Sequence, residues 1–115
     1  MLNIYVGPIR RTFAPSERAW MTLSDGAPVP MSIERLMARA QPDRGELEIV
    51  GARLGDHVLT CSYYPGGDSR AWWFDPMGYR GFPVASGRSI AIELVNHSSM
   101  SVEVTVAVIG TTKEG

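Results

Sequence analysis

Ser89-Ile-Ala-Ile-Glu-Leu-Val95, Asn96-His-Ser-Ser-Met100 and Ser101-Val-Glu-Val-Thr-Val-Ala-Val-Ile-Gly110 follow one another in the last third of the chain, and their reading decides the fold class. Ile90, Ile92 and Leu94 recur at every second position, as do Val102, Val104, Val106 and Val108. Side chains of a strand alternate between its two faces, so each segment buries one side and turns Glu93, Glu103 or Thr105 to the other. A slip of one residue would bury Glu93 and Glu103 unpaired. The polar stretch between the segments predicts a turn, and hence an antiparallel hairpin. A half-buried hairpin of this length needs a second layer, which points to an all-β, antiparallel β-sandwich or barrel.

Working back from this pair, Gly and Pro punctuate the rest of the chain at short intervals, which suits many short strands. The candidate strands are Asn3–Val6, Arg10–Phe13, Ala19–Leu23, Glu46–Leu54, His57–Ser62, Ala71–Phe74, Ser89–Val95 and Ser101–Ile109. Gly55-Asp56 reads as a tight hairpin turn between two of them. One stretch fits less well. Met31 to Ala40 carries Ile33, Leu36, Met37 and Ala40 at helical spacing, with Ser32 as a cap and Pro42 just beyond. It reads either as a short helix over 32–40 or as an irregular edge strand.

The 115 residues make one domain, 1–115, large enough to bury a core without staples. With 44% hydrophobic and 20% charged residues the composition is that of an ordinary globular protein. Eleven basic residues against twelve acidic ones give a net charge of -1, which provides no general attraction to nucleic acid or to an anionic bilayer. Cys61 is the single cysteine, so no disulfide forms within the chain and no cysteine zinc site can be built. It is expected to be a small buried hydrophobe. The N-terminus lacks the pattern of a secretory signal, and no apolar run is long enough for a spanning helix, so assembly in a cytoplasm is expected.

The chemistry-bearing residues form no catalytic or metal-binding pattern. His57 and His97 fall in predicted turns and read as solvated; adjacent Asp56 and His57 would point to opposite faces of a strand and cannot easily share an ion. Ser98 and Ser99 follow His97, but no Gly-x-Ser-x-Gly elbow is present. Glu46, Glu48, Glu93 and Glu103 alternate with apolar residues, as solvent faces of strands do. Gly66-Gly67 lacks the Lys and Ser/Thr of a phosphate loop. No enzyme activity, metal or cofactor is expected.

Seven of the ten aromatic residues lie between Tyr63 and Phe82. Trp72 and Trp73 are adjacent, so on a strand one enters the core and the other faces outward. Three readings account for the outward one: packing under a long loop, an anchor at a subunit interface, or a stacking platform for a sugar or base. Arg70, Trp72, Trp73, Tyr79, Arg80 and Phe82 are the candidate interface residues, because aromatic residues and arginine are enriched at interface centres.

Glu46 to Thr60, the aromatic segment ending Gly81-Phe-Pro-Val84, Ser89 to Ser98 and Val102 to Gly110 together resemble the strand order of small jelly-roll virion proteins of bacterial and archaeal viruses. The resemblance covers roughly Leu47 to Gly110. It implies a jelly-roll-like sandwich and a structural role in an icosahedral particle, as a minor capsid, penton, cement or decoration subunit. Other capsid subunits would be its partners, in a homo-oligomer within a virion assembled in the host cytoplasm. The first half departs from the pattern, since Arg10 to Ala40 reads either as early strands or as an extended arm. The competing class is a carbohydrate-binding β-sandwich presenting Trp72 or Trp73 and Tyr79 to a sugar ring, with Asp68 or Asp75 accepting from hydroxyl groups. A cupin-type enzyme ranks third, because its His-rich metal motif is missing.

Overall fold

The computed structural model describes residues 2–23, 27, 29–42, 46–64, 72–73 and 82–112, with the backbone alone for Leu2, Cys61, Trp72, Trp73 and Phe82. Within them the strands are β1 (Leu2–Phe13), β2 (Arg18–Thr22), β3 (Met31–Gln41), β4 (Leu47–Leu54), β5 (His57–Tyr63), β6 (Trp72–Trp73), β7 (Phe82–Val84), β8 (Ile90–Asn96) and β9 (Val102–Thr112). β4 and β5 are joined by Gly55-Asp56, with Leu54 opposite His57. Gly55 takes φ +66°, the left-handed region that a two-residue hairpin turn requires and glycine enters without steric cost.

The pairing nests outward from that turn. β4 pairs with β5, β3 with β6 and β7, β2 with β8 and β1 with β9, all antiparallel. The chain is therefore one long hairpin ribbon bent at Gly55-Asp56. Curling the ribbon adds two more antiparallel pairs, β3 with β9 and β4 with β8. Two sheets result: β1-β9-β3 with β6 and β7 beyond β3, and β2-β8-β4-β5. A nested ribbon rolled into two facing sheets is the jelly roll. The early half of the chain supplies β1, β2 and β3 rather than an extended arm.

β6 and β7 share one strand position. Trp72 lies opposite Leu36 and Trp73 opposite Arg35, while Phe82 lies opposite Ile33 and Val84 opposite Met31. Residues 74–81 separate two short segments that meet β3 at neighbouring points.

Of the two readings of 32–40 the helix is not formed; those residues lie within β3, an irregular strand but not an edge, since it is flanked by β9 on one side and by β6 and β7 on the other. A β-bulge explains the misleading period. Ile33 pairs with Gly110 and Arg35 with Ile109, so Glu34 is an extra residue and the strand changes face there. Met31 and Ile33 point inward before the bulge, Leu36 and Ala38 after it. The three-residue step from Ile33 to Leu36 thus mimics a helical turn, while Met37 lies on the opposite face. β1 and β4 do the same, stepping from Val6 to Ile9 across Gly7-Pro8 and from Ile49 to Ala52 across Val50. The first bulge also makes a single strand of the two predicted over Asn3–Val6 and Arg10–Phe13.

The expected hairpin of β8 and β9 is likewise corrected. Ile90, Ile92, Leu94, Val102, Val104, Val106 and Val108 are all buried as predicted, but the two strands lie in opposite sheets and meet through the core rather than side by side. Alternation specifies which face is buried, not which strand is the neighbour. The crossing is fixed by Asn96, which is buried at the corner. Its Nδ2 donates to Met100 O at 2.8 Å and Ala14 O at 3.1 Å, and its Oδ1 accepts from the Ser98 backbone N–H at 3.0 Å. The backbone N–H groups of Asn96 and His97 donate to Glu17 O and Glu46 O, both at 2.9 Å, which ties the corner to the starts of β2 and β4 on either side of β8.

Candidate contact surface

A sandwich has two outward sheet faces, and here they differ in kind. On the β2-β8-β4-β5 face the charged side chains satisfy one another. Arg18 Nε donates to Glu93 Oε2 at 2.8 Å and Arg53 stacks its guanidinium 5.7 Å from the Trp20 ring centroid. Ser62 Oγ donates to Glu48 Oε2, and His97 Nε2 lies 2.7 Å from Glu48 Oε1. These bonds, Ser62 first and His97 second, hold the Glu48 carboxyl below its ordinary range. Arg88 and Asp56 close a further pair at 3.3 Å beside the β4–β5 turn.

His97, expected as a solvated turn residue, is therefore paired, and Glu48 and Glu93 are not simply solvent-facing. The order Ser62–Glu48–His97 places the carboxylate in the middle. A serine nucleophile needs the imidazole between hydroxyl and carboxylate, so that the base can take the hydroxyl proton. This cluster braces β4, β5 and the corner after β8 instead. Among the described residues no group of three His, Cys, Asp or Glu side chains is placed to hold a metal ion, and no helix is long and apolar enough to cross a membrane.

The β1-β9-β3 face is open. The register lays it out in rows across the three strands: Tyr5, Ile109 and Arg35; then Ala107 and Met37 beside the Gly7-Pro8 bulge; then Arg10, Thr105 and Arg39; then Thr12, Glu103 and Gln41. Tyr5, Pro8, Met37, Ala107 and Ile109 line a broad apolar trough, with Tyr5 69% exposed. Neither Arg10, Arg39 nor Glu103 forms an ion pair with any described residue. An apolar centre of exposed Tyr5 and half-buried Met37 and Ile109 with arginines at its border has the composition of an interface core. In chemical terms this surface offers apolar contact area, guanidinium donors and one carboxylate.

Of the predicted interface residues, Arg70, Tyr79 and Arg80 lie outside the described residues, and Trp72, Trp73 and Phe82 are placed by backbone only. Their strands extend this same sheet: Trp73 continues the row of Tyr5, Ile109 and Arg35, while Trp72 sits opposite buried Leu36. Reading the sequence missed Tyr5, Met37 and Ile109. Met37 was assigned to the inner face of a helix, and Tyr5 stands far from the aromatic cluster in sequence. Trp20 was missed as well; it is 37% exposed on the opposite sheet, beneath Arg53. Compared with protein-family models, with curated proteins and with solved structures, the chain matches none.

Proposed function

We propose that the chain is a non-catalytic structural subunit working through contacts with neighbouring subunits. Its setting in this reading is an icosahedral virus particle, as a minor capsid, vertex or decoration component assembled in the host cytoplasm. The observation that carries the reading is the open β1-β9-β3 face, apolar at its centre and bordered by Arg10 and Arg39 without ion-pair partners among the described residues. Jelly rolls serve capsids, lectins and cupins alike, so the surface rather than the fold favours assembly. The resemblance of the strand pattern to small virion proteins supplies the viral setting. A carbohydrate-binding role is the second reading; its one exposed tryptophan among the described side chains, Trp20, already carries Arg53 on its ring.

The test is the mass of the purified chain by light scattering, together with its copy number in any particle that contains it. A defined multimer, and a copy number compatible with icosahedral symmetry, are expected. A monomer at every concentration that binds a glycan on an array would favour the lectin reading instead. Trp72→Ala and Trp73→Ala should separate: the first, opposite Leu36, lowers the melting temperature, and the second, opposite Arg35, weakens assembly by about 2 kcal/mol or more if it is a hot spot.

A further inference from the structure

The open face carries its own complement. Along β9 the outward residues Glu103 and Thr105 belong to adjacent rows, about 7 Å apart. Glu103 is flanked by Thr12 and Gln41, whereas Thr105 is flanked by Arg10 and Arg39. The two arginines stand two strand spacings apart, about 10 Å between Cα atoms, and flank Thr105 from both sides. Glu103 sits diagonal to both, at a separation long side chains can span. Even so, no ion pair forms between them within the chain.

We propose that this face pairs with the same face of a second copy about a two-fold axis, each Glu103 carboxylate seating between Arg10 and Arg39 of the other copy. The proposal rests on the reading of this face as a contact surface, and it names the first partner. An axis running across the strands, midway between the acidic and basic rows, maps each row onto the other. Glu103 of one copy then faces Thr105 of its partner copy with a guanidinium on either side, and the reciprocal contact follows from the symmetry. Charge-assisted bonds from two planar donors to one carboxylate are the strong kind. The same operation sets Ala107 over exposed Ser101, and the Gly7-Pro8 bulge over exposed Ala14, of the other copy. An axis along the strands would instead set Arg10 against Arg39, so charge selects the first orientation.

The test is dimerisation measured by light scattering over a dilution series, with circular dichroism to verify that each variant is folded. The unmodified chain should reach twice the mass of a single chain. Glu103→Arg alone, and Arg10→Glu with Arg39→Glu, should each weaken dimerisation at least about tenfold, and Glu103→Gln more mildly. The chain carrying all three reversals exchanges the charges and should dimerise again. Thr105→Asp fills the clamp from within its own chain and should also loosen the dimer. A chain that stays monomeric throughout overturns the proposal. A dimer indifferent to the charge reversals but dissociated by Met37→Asp overturns the clamp and keeps the contact face. A dimer unaffected by any of these variants overturns both.

Discussion

Val104 and Thr105 are neighbours on β9 with opposite surroundings. Val104 is fully buried between the sheets, and Thr105 lies outward between Arg10 and Arg39. Val104→Asp buries a charge without a partner and should cost about 4 kcal/mol or more in urea denaturation. Thr105→Asp places a carboxylate beside two cations and should cost under about 1 kcal/mol, or stabilise the single chain slightly. Equal losses would mean that the faces of β9 are misassigned. At Gly110 an added Cβ would collide with the Ser32 carbonyl oxygen and the Met31 side chain, so Gly110→Ala should lower stability by backbone displacement even though alanine is small. Glu48 gives a pH signature. Its carboxyl is held below the ordinary value of 4.5 by Ser62 and then His97. A depressed folded pKa contributes stability that is present above the unfolded value and lost as pH falls through the folded one. Ser62→Ala should therefore lower the urea midpoint more at about pH 6 than at about pH 3; an equal decrement at both would sever the hydroxyl from the Glu48 titration.

At the level of elements, the sequence revealed buried faces better than partners. β8 and β9 were legible because strict alternation needs no tertiary information. Their placement in opposite sheets was not, since it depends on a corner whose hydrogen bonds join Asn96 to residues as distant as Ala14 and Glu17. Asn96→Ala keeps the backbone bond to Glu17 but leaves the Phe13, Ala14 and Met100 carbonyls without the Nδ2 donor and should cost about 2–3 kcal/mol, measured as a shift in denaturation midpoint. A loss within about 0.5 kcal/mol would mean the corner holds without it. β3 admits a helical reading beside the strand one for two physical reasons. Its Glu, Arg, Leu, Met and Ala residues favour helices intrinsically, and the bulge at Glu34 supplies a three-residue apolar step. Tertiary pairing with β9 overrides both.

For the whole molecule, the nested ribbon explains why the two outward faces can differ. Inward positions of both sheets share one core, while each outer face is free to be closed by its own ion pairs or left open. The β2-β8-β4-β5 face carries the pairs Arg18–Glu93, Arg53–Trp20 and Ser62–Glu48–His97 beside exposed Val58; the β1-β9-β3 face presents exposed Tyr5 with half-buried Met37 and Ile109. The candidate contact surface was only half legible in the sequence. The aromatic cluster pointed to contact, and its backbone extends the right sheet at Trp73, yet Tyr5 joins the row only through pairing between β1 and β9. The central claim is that this open face is where the protein meets its neighbour. Hydroxyl-radical footprinting of the dilute chain and of its assembled form tests it directly. The account predicts that Tyr5 and Met37 become protected on assembly while Trp20, on the opposite sheet, keeps its reactivity; unchanged oxidation of Tyr5 and Met37, with protection appearing at Trp20, would contradict it.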